Sequence, residues 1–168
     1  MPALHPRSLV AFGALFALAG CTSGPVSGTW LYQDAAIVTD SCDLLADEDA
    51  PSGDFYVYNE GKGVMIVDPN ESQDGQALEV FDCTYDGNKT FTCPERVENT
   101  QSQGDNELTQ TLGVTGTLSG RESLTATLTS TLTCSGPACE AIEQQTSQQF
   151  PCVVETQWDA IWTSPTLP

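Results

Sequence analysis

The sequence predicts an all-β domain, an up-and-down antiparallel barrel of about eight strands, and three observations carry that prediction. Apolar residues recur with period two over long stretches. Short runs of turn-forming residues separate those stretches. Amphipathic helical periodicity is scarce. A sheet of that many strands can close on itself and leave no edge, which favours a barrel over the alternative, a β-sandwich.

The elements follow in chain order. A first strand is expected over residues 28 to about 39, then a pair over 55–58 and 64–67 that turns at Glu60, Gly61, Lys62 and Gly63. A polar loop over 68–75 leads to the next strand, from Ala77 onward. Asp86, Gly87, Asn88 and Lys89 are turn residues and mark a hairpin. If Tyr85 lies opposite Phe91, Cys83 lies opposite Cys93, and Phe81 joins these four on one apolar face. The clearest pattern runs from Leu108 to Cys134. Leu108, Leu112, Val114, Leu118, Leu124, Ala126, Leu128, Leu132 and Cys134 hold even positions, and threonines fill most odd ones. A turn at Ser119, Gly120, Arg121 and Glu122 makes this a long hairpin with an apolar face and a threonine face. The last strand spans about 152–162, with Val154, Trp158, Ala160 and Trp162 on one side.

The start of the chain has a different composition. His5 and Arg7 precede an apolar and small-residue run from Leu9 to Gly20, about ten to twelve residues, too short to cross a ~30 Å hydrocarbon core as a helix. Residues 1–20 are therefore read as an export signal. Leu18, Ala19, Gly20 and Cys21 resemble the lipobox of bacterial lipoproteins. That resemblance implies a diacylglyceryl group on the Cys21 thiol, cleavage just before it and acylation of the new amine. It also implies a location in the bacterial cell envelope. Thr22 stands where the family's inner-membrane retention signal has Asp, so the outer membrane is expected. Residues 21–27 then form the lipidated Cys and a short tether, and 28–164 a single β domain.

Removing residues 1–20 from the 168 leaves 148, enough for one core. Lys62, Lys89, Arg96 and Arg121 then face 23 acidic residues, a formal net charge of −19. Such a surface repels nucleic acid, which requires clustered Lys and Arg. It suits a salty habitat, general solubility or a cationic partner. Salt should stabilise the fold by screening self-repulsion.

Six cysteines remain beside Cys21, and an even set in an exported chain reads as disulfides. The hairpin register suggests Cys83–Cys93. Barrel closure sets the first strand beside the last and suggests Cys42–Cys152 across the seam. Cys134–Cys139 follows by elimination, clipping the loop 135–138.

Gly28, Thr29 and Trp30 resemble the GxW opening of lipocalins and related avidin-like barrels, in which the Trp closes the barrel floor. The match covers three residues and does not extend to other lipocalin motifs or to a biotin pocket, so it implies no ligand. A buried Trp in a sandwich would read the same way.

The chemistry is sparse. His5, the single histidine, leaves with the export signal, so no imidazole remains for a triad or for zinc. Paired cysteines offer no thiolate. No glycine loop cradles phosphate, and no cofactor is expected. A carboxylate-only hydrolase needs two facing acids, whereas the densest cluster, Asp43, Asp47, Glu48, Asp49 and Asp54, reads as a solvated loop. Asp68, Asn70, Asp74 and Gly75 are oxygen-rich but miss the EF-hand order. The threonine face resembles ice-binding surfaces, although barrel twist opposes a flat lattice match. The leading expectation is a non-enzymatic envelope protein whose partners are the membrane, through Cys21, and a small apolar ligand or another envelope protein. The interior positions expected to face that ligand are Trp30, Tyr32, Leu112, Leu128, Trp158 and Trp162. The alternative is a structural or interaction protein with a filled barrel.

Overall fold

The computed structural model describes residues 24–43, 50–59, 63–68 and 79–167. Cys21, Asp47, Glu48, Asp49, Lys62, Asn70, Asp74 and Gly75 lie outside the described residues.

Eight strands occur in the order β1 (Gly28–Asp40), β2 (Asp54–Asn59), β3 (Gly63–Asp68), β4 (Glu79–Tyr85), β5 (Thr90–Gln103), β6 (Asn106–Leu118), β7 (Ser123–Ser135) and β8 (Cys152–Ser164). Each pairs antiparallel with the next in sequence, and β8 returns to β1 to close the barrel. Closure decides against the sandwich.

The period-two pattern explains the register. Along β6 and β7 the pairs Val114↔Leu128, Gly116↔Ala126 and Leu118↔Leu124 alternate with Thr115↔Thr127 and Thr117↔Thr125. The first set is inside, and the threonines lie on the outer face. The expected pair Tyr85↔Phe91 forms in the β4–β5 hairpin.

Two elements go beyond the sequence reading. An α-helix, α1 (Cys139–Thr146), sits between β7 and β8. Its eight residues have only Ala141 and Ile142 as apolar members after Cys139, too few to show a helical stripe. β5 continues to Gln103 through polar residues that lack alternation, held by pairing with the long β6. Pro94 can sit in that strand because the register shifts between Cys93 and Arg96.

The core is one cluster built around Trp30, Phe55, Val57, Phe81, Phe91, Val114, Leu118, Leu124 and Trp158. A smaller cluster of Cys42, Cys152 and Val154 packs with Ile37, Leu132 and Phe150 beside the seam. Three disulfides join Cys42 to Cys152, Cys83 to Cys93 and Cys134 to Cys139.

Candidate functional site

The barrel has two unlike ends. The floor end carries the start of β1, the end of β8 and the turns joining β4 to β5 and β6 to β7. The rim end carries Cys42, the β5–β6 turn, α1 and the start of β8.

Residues 24–27 lie across the floor. Gly24 and Pro25 are buried. Val26 N donates to Arg121 O at 2.9 Å, and Asn59 Nδ2 donates to Pro25 O at 2.7 Å. Two indoles complete the closure: Trp30 Nε1 donates to Val26 O at 3.0 Å and Trp162 Nε1 to Ser27 O at 3.2 Å. Gly28 makes the approach possible. Its φ of +140° suits glycine, and a Cβ there would strike the Ser164 carbonyl and lie 2.7 Å from Trp162 Nε1. Trp30 therefore occupies the floor, and residues 24–27, expected to be tether, are part of the folded body.

Above the floor the interior is aromatic. Tyr32 stacks at 4.5 Å from Phe55 and meets Trp158 edge-on at 5.7 Å, while Trp30 lies 6.3 Å from Phe55. Of the six positions expected to face inward, Trp30, Leu112 and Trp158 are buried, and Tyr32, Leu128 and Trp162 are partly buried against the same cluster. Trp158 Nε1 is buried and has no hydrogen-bond partner among the described residues. The lining becomes more polar towards the rim. Thr156 is buried, and Gln110 Nε2 donates to Ser130 Oγ at 3.0 Å. Arg96 places its guanidinium 4.3 Å from the Phe81 ring, donates to Val80 O and pairs with Glu98 at 2.9 Å.

At the rim, a groove of about 560 Å³ opens between α1 and the β5–β6 tip. Leu108, Ala138, Ala141 and Ile142 supply its apolar surface, and Gln101, Gln103, Asn106, Glu107 and Gln145 are among its polar lining. The groove wall is fastened at several points. Cys139 opens α1 and is bonded to Cys134 on β7. Asn106 Oδ1 accepts from Ala138 N at 2.8 Å, and Glu143 Oε1 accepts from Phe150 N at 2.8 Å. Gln148 Nε2 reaches Cys42 O at 2.8 Å, tying this segment to the seam. Only Leu108 among the groove residues stood out in the sequence, as part of the apolar alternation. The Cys134–Cys139 clip was the one signal near the rest, because helix and groove arise from tertiary packing.

Among the described residues, no three His, Cys, Asp or Glu side chains are grouped to hold a metal ion. Compared with models of protein families, with curated proteins and with solved structures, the chain matches none.

Proposed function

We propose that the chain is a non-enzymatic lipoprotein of the bacterial cell envelope, anchored in the outer membrane by acyl chains on Cys21, and that it binds a small ligand with an apolar body at the barrel rim. The observation that carries the binding role is the 560 Å³ groove, a volume within the range of small-molecule sites, fixed at its edges by a disulfide and side-chain hydrogen bonds. The anchor reading is supported by the lipobox-like Leu18, Ala19, Gly20 and Cys21 and by three disulfides, which suit an oxidising compartment. The barrel is apolar inside, with threonines and acids outside, the reverse of a membrane-spanning barrel, and this supports an attachment made by acyl chains rather than by the strands. A non-enzymatic role accords with the loss of His5 and with six cysteines held in pairs.

The aromatic filling of the floor half favours a second reading, a structural or interaction protein whose rim docks another envelope protein. Native mass spectrometry of the protein extracted from its envelope in mild detergent separates the two. The binder reading predicts a one-to-one small-molecule adduct that is lost in Ile142→Trp without a change in melting. A ligand-free mass, with cross-links from the rim to a second protein, would replace it with the interaction reading.

A further inference from the structure

We infer that the floor end of the barrel rests on the headgroups of the membrane holding the anchor, with Arg121 and Lys89 towards anionic lipid and the rim groove displayed outward. This rests on acylation of Cys21.

The first argument is reach. Gly24 is buried and Val26 is hydrogen-bonded to the β6–β7 turn, so the chain is fixed to the floor three residues after Cys21. Three Cα–Cα steps span at most ~11 Å. The anchored sulfur therefore stays within about a nanometre of the floor, and rotating the barrel to bring the rim down would require a longer leash. Thirteen-residue strands, tilted as in small barrels, set the rim about 30 Å further out.

Charge gives an independent argument. The described floor turns hold Lys89 and Arg121 against Asp86 and Glu122, and so are neutral in sum. At the rim, Asp43, Asp105, Glu107, Glu140 and Glu143 have no Lys or Arg beside them among the described residues of those connections. In so acidic a protein the floor is the end that an anionic surface repels least. Rim acids stand several Debye lengths away, since that length is about 8 Å at physiological salt.

The outer wall beside the floor adds an apolar contact. Leu31 and Ile161 pair across the β1–β8 seam, and Ile161, 43% exposed, also pairs with Ser123 next to the turn bearing Arg121. An exposed apolar side chain at that end suits the headgroup boundary, although Glu122 and Asp159 stand nearest to it along the same strands.

The test uses the full-length chain processed in a bacterial host and reconstituted into phosphatidylethanolamine vesicles, with or without phosphatidylglycerol, bearing a nitroxide quencher on the headgroups. A small fluorophore is introduced as a noncanonical amino acid in place of Asn88 or Ser119 at the floor, or of Asp105 or Glu140 at the rim. Loss of most fluorescence at the two floor positions and none at the rim is expected. Phosphatidylglycerol should deepen the floor quenching, and the double reversal K89E/R121E should abolish that increment while the protein stays anchored. An acylated, vesicle-bound protein with equal quenching at both ends, or stronger quenching at the rim, would overturn the orientation alone. An N-terminal mass without acyl chains would overturn both the orientation and the anchor reading.

Discussion

The floor and the rim of this barrel are built from the same eight strands and stabilised by different means. At the floor, large apolar side chains fill the interior, with Trp30 and Phe55 essentially inaccessible and Phe91 directly over Gly116, and the Trp30 and Trp162 indoles fasten residues 26–27 across it. At the rim, the strands carry Gln101, Gln103, Asn106 and Glu107, and order comes from a disulfide-clipped helix and side chains that cap backbone groups. A packed interior tolerates little change in shape, whereas a polar, cross-linked edge can vary its lining without unfolding the body. The difference is between a floor filled by large aromatic side chains and a rim whose groove is lined largely by polar ones, with the buried Cys42–Cys152 cluster making the seam side of the rim part of the folded body as well.

Substitutions should break or sharpen that contrast, and the largest effect is expected at the seam. Cys42–Cys152 closes a separation of 110 residues, and chain entropy assigns it about 5 kcal/mol, against about 2 kcal/mol for Cys134–Cys139 with a separation of 5. Denaturant unfolding of the paired Cys→Ser variants should show that order. Equal losses would mean that the rim clip is part of the core.

Next come the floor residues. Trp30→Ala should cost about 3–5 kcal/mol by leaving a cavity and releasing the Val26 carbonyl. Gly28→Ala should cost about 3 kcal/mol, since a Cβ meets backbone that cannot retreat. In Gly116→Ala the new methyl would fall within the Phe91 ring, with an expected loss of about 1–3 kcal/mol. Ile142→Ala in the groove should stay within about 1 kcal/mol while changing what the groove holds. Thermal melts of these four variants, with Ile142→Ala nearest wild type, would support the contrast; a melt for Ile142→Ala as low as for Trp30→Ala would remove it.

Smaller effects concern charge. Removing the guanidinium over Phe81 in Arg96→Met should cost about 1 kcal/mol. The melting temperature of the wild type should rise with sodium chloride as the self-repulsion of a chain of formal net charge −18 is screened. A fall with salt would show that ion pairs outweigh that repulsion.

The barrel was legible because its signals are local and repeated. Alternation from Leu108 to Cys134 set one hairpin, the Asp86–Lys89 turn set the register that joins Cys83 to Cys93, and counting strands placed Cys42 beside Cys152. β5 beyond Arg96 was not legible, because its polar residues are strand only through pairing with β6. Nor was α1: its eight residues show no apolar stripe, and their order comes from the short Cys134–Cys139 clip, the Glu143–Phe150 bond just beyond the helix and Asn106, 32 residues away from Ala138. The groove inherits that opacity, since both of its walls are such elements. The packing of residues 24–27 onto the floor was hidden for the same reason. It depends on Asn59 and Arg121, neither of which is near in sequence.

The placement of the two ends relative to a membrane depends on acyl chains at residue 21. Intact-mass analysis of the protein recovered from a bacterial envelope, before and after reduction with alkylation, tests this most directly. The account predicts a chain beginning at Cys21, heavier by its acyl groups, in which six thiols become reactive only after reduction. A chain that keeps Met1 and shows free thiols at once would contradict it.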